Sequence, residues 1–469
     1  MPARLNPIDA LFLSEETRTT PRQVTTLAVL EPGPDGFDYD RLVRVISERI
    51  ALVPRYRQRV MSVPGHVGAP VWVDDEDFDL TYHVRRSALP SPGTSESLRD
   101  LVSRLISRRL DLDKPLWEAY LVEGLEHGRV ALLIKSHQAL VDGSETVDLA
   151  QVLLEETTRD RDVPHDGWTP RAAPSPFTLV ADSLTDLATH PTKAAGLAGA
   201  LLGRAASLLP VLGPPRADHD HLLTGELSQH RRFVTVATRL EDYRRVRDAH
   251  GGTVNDVILA TIASAVRAWL LTRAEPVADT MRLRAMVPMS VVSPDGAPTS
   301  LGSKVRGHLL TLPVGESNPV VRLHQVSYAL KAHRETGVAV AANTLAGLPG
   351  FAPTTFHAVG ARVADSASGR SFQLVITNVP GPQEPMYMAG ARVAETYPAL
   401  PLAHDRLLSI GVTSYDGGVY FGLVADRQAI PDADVLGQCI SEALDELVES
   451  TSPTRQRAPR GRKRPAAKS

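Results

Sequence analysis

A single cysteine, Cys439, stands among 469 residues; that excludes an intramolecular disulfide, and no Cys/His cluster has the spacing of a zinc site. With neither staple present, the fold has to rest on a buried apolar core. No run of about 18 consecutive uncharged apolar residues occurs, the length a membrane-spanning helix needs. The N-terminus, Met1-Pro-Ala-Arg-Leu-Asn-Pro-Ile-Asp9, lacks the apolar stretch and small-residue cleavage site of a secretory signal. These absences predict a cytoplasmic chain that does not span a membrane. Acidic side chains are also missing from the C-terminal end, where every charged residue after Glu449 is basic, from Arg455 to Lys468. With Pro453, Pro459 and Pro465 and no apolar pattern, residues 451–469 read as a disordered basic tail. Two readings of it stay open, weak attachment to an anionic lipid surface or a solvated tail with no partner. The overall net charge of −3 argues against nucleic acid as a partner.

What is present is ordinary for a folded protein: 43% apolar and 22% charged residues, at a length that calls for two domains and a connector. Residues 24–31 read as a strand, and Leu42, Ile46, Ile50 and Val53 mark a helix over 39–53. Leu98, Leu101, Val102, Leu105 and Ile106 mark another. Strands at 117–123 and 130–135 flank a turn at 126–129, and a helix over 144–155 follows. Mixed elements in this order predict an α/β (α+β) sandwich domain over residues 1–160. Prolines at 164, 170, 174 and 176 open a connecting helical segment, 161–230, with helices at 177–189 and 192–209. Its stretch Ala195–Leu212 is nearly all small and apolar, suited to a helix on lipid or over an apolar channel, or equally to one buried between domains. The second domain, 231–450, repeats the mixture. It has strands at 232–237, 282–287, 307–312, 372–377, 407–413 and 419–424, the last two joined by a Tyr415-Asp416-Gly417-Gly418 hairpin. Its helices lie at 253–273, 319–335 and 431–448.

The stretch Ala131-Leu-Leu-Ile-Lys-Ser136-His137-Gln138-Ala-Leu-Val-Asp142-Gly143-Ser144 carries the chemistry. A buried strand delivers a histidine, then Asp-Gly, to the start of a helix. A histidine at a strand end can serve as general base on an alcohol, while Asp142 can fix a neighbouring cation or the local backbone. Taken alone the pattern also fits an ordinary turn, with Asp142 and Gly143 as plain turn residues. Asn255 and Asp256 fall in the first turn of the 253–273 helix, with Thr253 as N-cap, so capping explains much of their presence. Pro115-Leu116-Trp117 reads as the start of a core strand. Asn378-Val379-Pro380-Gly381-Pro382 reads as an irregular loop, because two prolines remove donors and fix backbone angles.

In order along the chain, Asn6-Pro7-Ile8-Asp9-Ala10-Leu11-Phe12-Leu13, Pro54-Arg55-Tyr56-Arg57-Gln58-Arg59, Phe78-Asp79-Leu80 with His83, Pro115-Leu116-Trp117-Glu118, the His137/Asp142-Gly143 stretch, Val254-Asn255-Asp256, Val287-Pro288-Met289-Ser290 and Asn378-Val379-Pro380-Gly381-Pro382 resemble the bacterial wax ester synthase/diacylglycerol acyltransferase family. The resemblance covers nearly the whole chain except the tail. It implies two chloramphenicol-acetyltransferase-like domains with the active site between them, acyl-CoA as co-substrate, no other cofactor and no metal. It further implies a diacylglycerol or long-chain alcohol acceptor and peripheral contact with a membrane or lipid-droplet surface. In the mechanism it implies, a histidine removes the acceptor hydroxyl proton as the oxygen attacks the thioester. His137, Asp142 and Asn255 are then the catalytic candidates. Ser136, Gln138, Gly143, Pro115, Leu116, Trp117, Asp256, Asn378, Pro380 and Gly381 are the motif or channel candidates. The sequence departs from the family at one place: its motif is His-His-x-x-x-Asp-Gly, the second histidine being the usual base, and here Gln138 holds that position. A carboxamide binds no proton near neutrality. Three readings follow: His137 serves as base, the enzyme works by positioning and oxyanion stabilisation, or the chain is a noncatalytic acyl-CoA- or lipid-binding relative.

Overall fold

Two sheets, each drawing a row of largely buried strands from distant parts of the chain, meet across the middle of the molecule. The computed structural model describes residues 2–34, 36–141, 148–158, 167–189, 222–290, 305–335, 353–366 and 372–452. In the first half, helix α1 (Pro7–Glu15) precedes β1 (Gln23–Glu31), α2 (Tyr39–Arg49), β2 (Gln58–Met61), β3 (Val71–Asp74), α3 (Leu80–His83), β4 (Val84–Ala88), α4 (Ser95–Ser107), β5 (Trp117–Glu123), β6 (Val130–His137), α5 (Leu149–Leu153), β7 (Leu154–Glu155) and α6 (Pro176–Thr189). The second half runs β8 (Arg231–Arg239), α7 (Leu240–His250), α8 (Val254–Thr272), β9 (Leu283–Ser290), β10 (Val305–Leu312), α9 (Pro319–Glu335), α10 (Pro353–Ser366), β11 (Leu374–Pro380), β12 (Tyr387–Met388), β13 (Ala391–Ala399), β14 (Leu408–Tyr415), β15 (Gly418–Asp426) and α11 (Ala433–Glu449).

Local chemistry accounts for many of the boundaries. Asp38 caps α2 by accepting the Arg41 N–H at 2.8 Å, and Thr94 caps α4 from the Ser97 N–H at 3.2 Å. Thr253 and Asp256 form a reciprocal capping box on α8. Among the described residues α8 is the one helix long and apolar enough to cross a membrane, but it is the core helix of the second half, buried on nearly every side between Asp256 and Val266. Asp416 and Gly417, both at positive φ, turn β14 into β15 as expected of the hairpin.

The first sheet has the strand order β4-β5-β6-β1-β13-β12-β7, and the second β10-β9-β11-β14-β15-β8. Residues 387–399, which fall within the second half of the sequence, are therefore built into the first sheet, β13 running antiparallel to β1 from Thr25↔Ala399 to Glu31↔Arg392. That strand also packs on β14 and β15 of the second sheet. The approach is close: a Cβ placed on Gly422 of β15 would lie 1.8 Å from the Pro398 carbonyl oxygen, and one on Gly411 of β14 would lie 2.8 Å from the Pro398 ring.

Several expected boundaries move. The helix expected over 144–155 is seen at Leu149–Leu153, capped by Asp148 and followed by the short strand β7, while residues 142–147 lie outside the described ones. The helix over 192–209 and all but the first two residues of the basic tail also lie outside them. Asn378-Val379-Pro380 is not a loop but the end of β11, paired parallel with Val412–Ser414. Pro380 is tolerated because it is the last residue of the strand, and the ladder bond beside it comes from Gly381, whose N–H donates to the Ser414 carbonyl at 2.8 Å. Helices α7 and α10 and strand β13 have no counterpart in the sequence reading.

Because neither the Pro398 carbonyl nor the β15 backbone can give way, Gly422→Ala forces the sheets apart at their crossing. It is expected to cost about 2–3 kcal/mol or more, read as a lowered thermal midpoint; an unchanged midpoint would mean that the crossing is loose.

Candidate active site

His137 is the last residue of β6, paired across to Gln23 of β1, and its backbone N–H donates to the Leu116 carbonyl at 2.9 Å. The strand ends there because a turn follows, the Leu140 N–H donating to the His137 carbonyl at 2.9 Å. The imidazole is fully buried. Its Nδ1 accepts the Ala139 backbone N–H at 3.0 Å, and its Nε2 faces the buried Glu16 carboxylate at 3.5 Å. A nitrogen that accepts an amide N–H carries no proton of its own, so in the neutral ring the proton sits on Nε2, toward Glu16. Glu16 closes α1 and is held in turn by the Arg22 N–H at 3.2 Å. Two residues back on the same strand face, Lys135 is fully buried, its ammonium donating to the Arg108 carbonyl at 3.0 Å and the Glu118 carboxylate at 3.2 Å. Burial lowers the Lys135 pKa, and Glu118 opposes that shift.

Gln138 sits in the turn, fully buried. Its backbone is engaged at both ends, the N–H donating to Arg22 O at 2.9 Å and the carbonyl accepting from Arg362 Nη1 at 2.6 Å. Neither atom of its side-chain amide has a hydrogen-bond partner among the described residues. A buried carboxamide left open at both ends is costly unless a ligand or water completes it. Arg362, on α10, also pairs with Asp9 of α1 and lies over the Phe12 ring, its guanidinium carbon 5.3 Å from the centroid. One cation thus joins the N-terminal helix, the motif turn and a helix of the second half.

The opposite face of β6 is anchored in aromatics. Ser136 Oγ lies 3.4 Å from the Tyr56 hydroxyl, which donates to Asp148 at 2.9 Å and accepts the Leu149 N–H at 3.1 Å. Trp117 Nε1 donates to Tyr56 O at 2.7 Å, and His83 stacks on Trp117 with centroids 4.7 Å apart. Pro115 and Leu116 are buried beside them. Trp117 thus holds the motif strand from behind.

Across the interface, Asn378 donates its amide to Asn255 Oδ1 at 2.8 Å. Asp256 is spent on the capping box, accepting from the Thr253 N–H at 3.0 Å and Oγ1 at 2.7 Å. Asp142 and Gly143 lie outside the described residues. The residues that sequence reasoning missed are Glu16, Arg362 and His357, the last a fully enclosed imidazole on α10 whose Nδ1 meets Thr377 Oγ1 at 2.5 Å. Asp9 lay within a quoted motif, which was the only signal for this contact; Glu16, Arg362 and His357 had none. Among the described residues no group of His, Cys, Asp or Glu side chains could hold a metal ion.

Residues 5–258 match the family model described as the wax ester synthase/diacylglycerol acyltransferase catalytic domain, and residues 301–448 match its C-terminal domain. The chain belongs to this family. It is 33% identical over 451 residues to the probable diacylglycerol O-acyltransferase tgs1 of Mycobacterium tuberculosis strain H37Rv, covering 95% of each chain. It is also 33% identical over 468 residues to tgs2 of the same strain, covering 95% of this chain and 98% of the relative. Among solved structures, the wax ester synthase/diacylglycerol acyltransferase of Marinobacter aquaeolei VT8 superposes with a TM-score of 0.66 at 29% identity, over 96% of this chain and all of that one. The first condensation domain of the calcium-dependent antibiotic synthetase superposes with a TM-score of 0.55 at 13% identity, over 98% and 99%, and shares the fold. The two sheets meeting at the motif turn are therefore this acyltransferase fold.

Burial lowers the His357 pKa to about 3, and lowers that of His83 too. An imidazole in the unfolded chain takes its proton near 6.5, so below that pH the unfolded state binds protons that the folded state refuses. Stability is thus full above about pH 6.5 and falls as pH drops, with His357 contributing about 1.4 kcal/mol per pH unit between roughly 6 and 4. Urea unfolding across that range should show the slope, and His357→Gln should remove its own share; an identical slope in the variant would mean that the ring is protonated in the folded state.

Proposed function

We propose that the protein is an O-acyltransferase that moves a long-chain acyl group from coenzyme A to the hydroxyl of diacylglycerol, with a long-chain alcohol as second acceptor. The products are triacylglycerol and wax ester. The observation that carries the reading is a buried His137-Gln138 turn held by helices α1 and α10 in a chain whose family models and relatives bear these names. The acceptor oxygen attacks the thioester carbonyl, the C–S bond breaks, and coenzyme A leaves as a thiolate that takes up the displaced proton. Acyl-CoA is the co-substrate, and the reaction calls for no further cofactor.

In this reading His137 takes the hydroxyl proton. Its Nε2–H points at Glu16, and its Nδ1 is the basic nitrogen once the ring lets go of the Ala139 amide. Glu16 orients the ring and offsets the charge of the imidazolium, the part a buried carboxylate plays beside a catalytic histidine. Gln138 contributes an amide donor and acceptor to a substrate polar group rather than a base. A second reading, a noncatalytic acyl-CoA- or lipid-binding relative, rests on Gln138 at the family's usual base position and on a His137 Nδ1 that already accepts the Ala139 N–H.

Release of coenzyme A thiol from a long-chain acyl-CoA, with and without diacylglycerol or hexadecanol, separates the two. Acceptor-dependent release should fall by about 100-fold or more in His137→Ala and should survive in Gln138→Ala. Absence of release from the intact protein with both acceptors would establish the binding reading instead.

The insoluble acceptor argues for a cytoplasmic protein in peripheral contact with a membrane or lipid-droplet surface, with the basic tail as one point of attachment. Deleting residues 452–469 should weaken binding to anionic liposomes and flatten its salt dependence. Binding equal to that of the full chain at low salt would remove the tail from the account.

A further inference from the structure

Helix α10 lies on β9, β10 and β11 of the second sheet and reaches β1 of the first. Its Arg362 holds the Gln138 carbonyl. Among the described residues, Thr355 Oγ1 and His357 Nε2 on this helix and both amide atoms of Gln138 on the turn are buried without a hydrogen-bond partner. An interior leaves a buried donor or acceptor open where a ligand or ordered water completes it.

The proton on His357 can be placed from its neighbour. Thr377 is fully buried on β11, and its hydroxyl has the His357 ring as its one hydrogen-bond partner among the described residues. If Nδ1 carried the proton and donated to Thr377, the threonine O–H would be buried without an acceptor, and Nε2 would be an open lone pair besides. If the hydroxyl donates to Nδ1, both of those needs are met by one bond and a single group remains open, the Nε2–H. Two unsatisfied buried groups cost about 1–3 kcal/mol each, so the second arrangement prevails. The ring is also held neutral by its burial, so it presents a donor without a charge, as an electrophile toward a carbonyl should.

We propose that the Nε2–H of His357 donates a hydrogen bond to a carbonyl oxygen of the acylated substrates, an ester or a thioester. The inference deepens the acyl-transfer reading and rests on it for the identity of the ligand. Two sources offer that oxygen. The thioester carbonyl develops negative charge as the acceptor attacks, and diacylglycerol carries ester carbonyls beside its free hydroxyl. A long-chain alcohol carries none. Gly360, one turn along α10, lets the helix lie close enough to the sheet for this ring to be enclosed: a Cβ there would sit 3.0 Å from the Thr377 methyl and 3.2 Å from the Pro288 ring.

The test compares the intact protein with His357→Phe, which fills the space without a donor, and His357→Gln, which keeps an N–H. Coenzyme A release is followed with diacylglycerol and with hexadecanol, and binding of palmitoyl-CoA, diacylglycerol and hexadecanol is measured separately by titration. If the oxygen is that of the thioester, kcat in His357→Phe falls with both acceptors, by about 100-fold for a lost oxyanion donor. If it belongs to diacylglycerol, KM for diacylglycerol rises about five- to tenfold and the hexadecanol reaction is spared. His357→Gln recovers most of either loss, which a space-filling role would not allow. Should the intact protein turn over no acceptor, the acyl-transfer reading falls. The proposal is then decided by titration, where His357→Phe must weaken palmitoyl-CoA or diacylglycerol about fivefold or more while leaving hexadecanol unchanged. A folded His357→Phe that matches the intact protein within about twofold in kcat, KM and binding overturns it.

Discussion

A buried guanidinium has to find its counter-charge and acceptors within reach, and Arg362, on α10, finds them in two distant parts of the chain. The Asp9 carboxylate and the Phe12 ring beneath the cation come from the N-terminal helix, and the Gln138 carbonyl comes from the motif turn. A buried charge that loses its partner is heavily penalised, so the three elements are obliged to stay together. With α1 held there, the residue that ends it, Glu16, is brought to face His137. With the turn held there, the Gln138 side chain is committed to the interior although nothing in the described protein satisfies it. The site is thus made by an electrostatic constraint between halves of the chain and not by either half alone.

The motif strand is fixed from both faces. On one, Trp117, His83 and Tyr56 stack and hydrogen-bond behind Ser136. On the other, Lys135 is neutralised by Glu118 and His137 is met by Glu16. Alternation along a strand sends successive side chains to opposite faces, so a single strand can be clamped this way while its last residue remains at the interface. Such clamping suits acyl transfer, where misplacement of the reacting groups by an ångström is expensive.

Legibility in the sequence followed the range of the interactions. Helices α2, α4 and α8 were legible because their caps and apolar spacing are local, as were β5, β6 and the β14–β15 hairpin. The loop expected at Asn378–Pro380 failed because a proline at a strand end looks, in sequence, like a proline in a turn. Strand β13 went unread because its partner β1 is more than 360 residues away. Of the site, His137, Gln138 and Trp117 could be named from motif order. Glu16, Arg362 and His357 could not, since an isolated charged or polar residue on a helix gives no sign of what it will face.

By itself, the sequence determined the family, the mixed α/β character, and the replacement of the motif's second histidine by Gln138. Those depend on residue identity and on spacings of a few positions, which the chain carries whatever its fold. Only the tertiary structure decided that residues 387–399 complete the first sheet, that His137 turns its Nε2 toward Glu16, and that α10 brings Arg362 to the motif turn. These are matters of burial and counter-charge between segments far apart in the chain, and no local pattern encodes them.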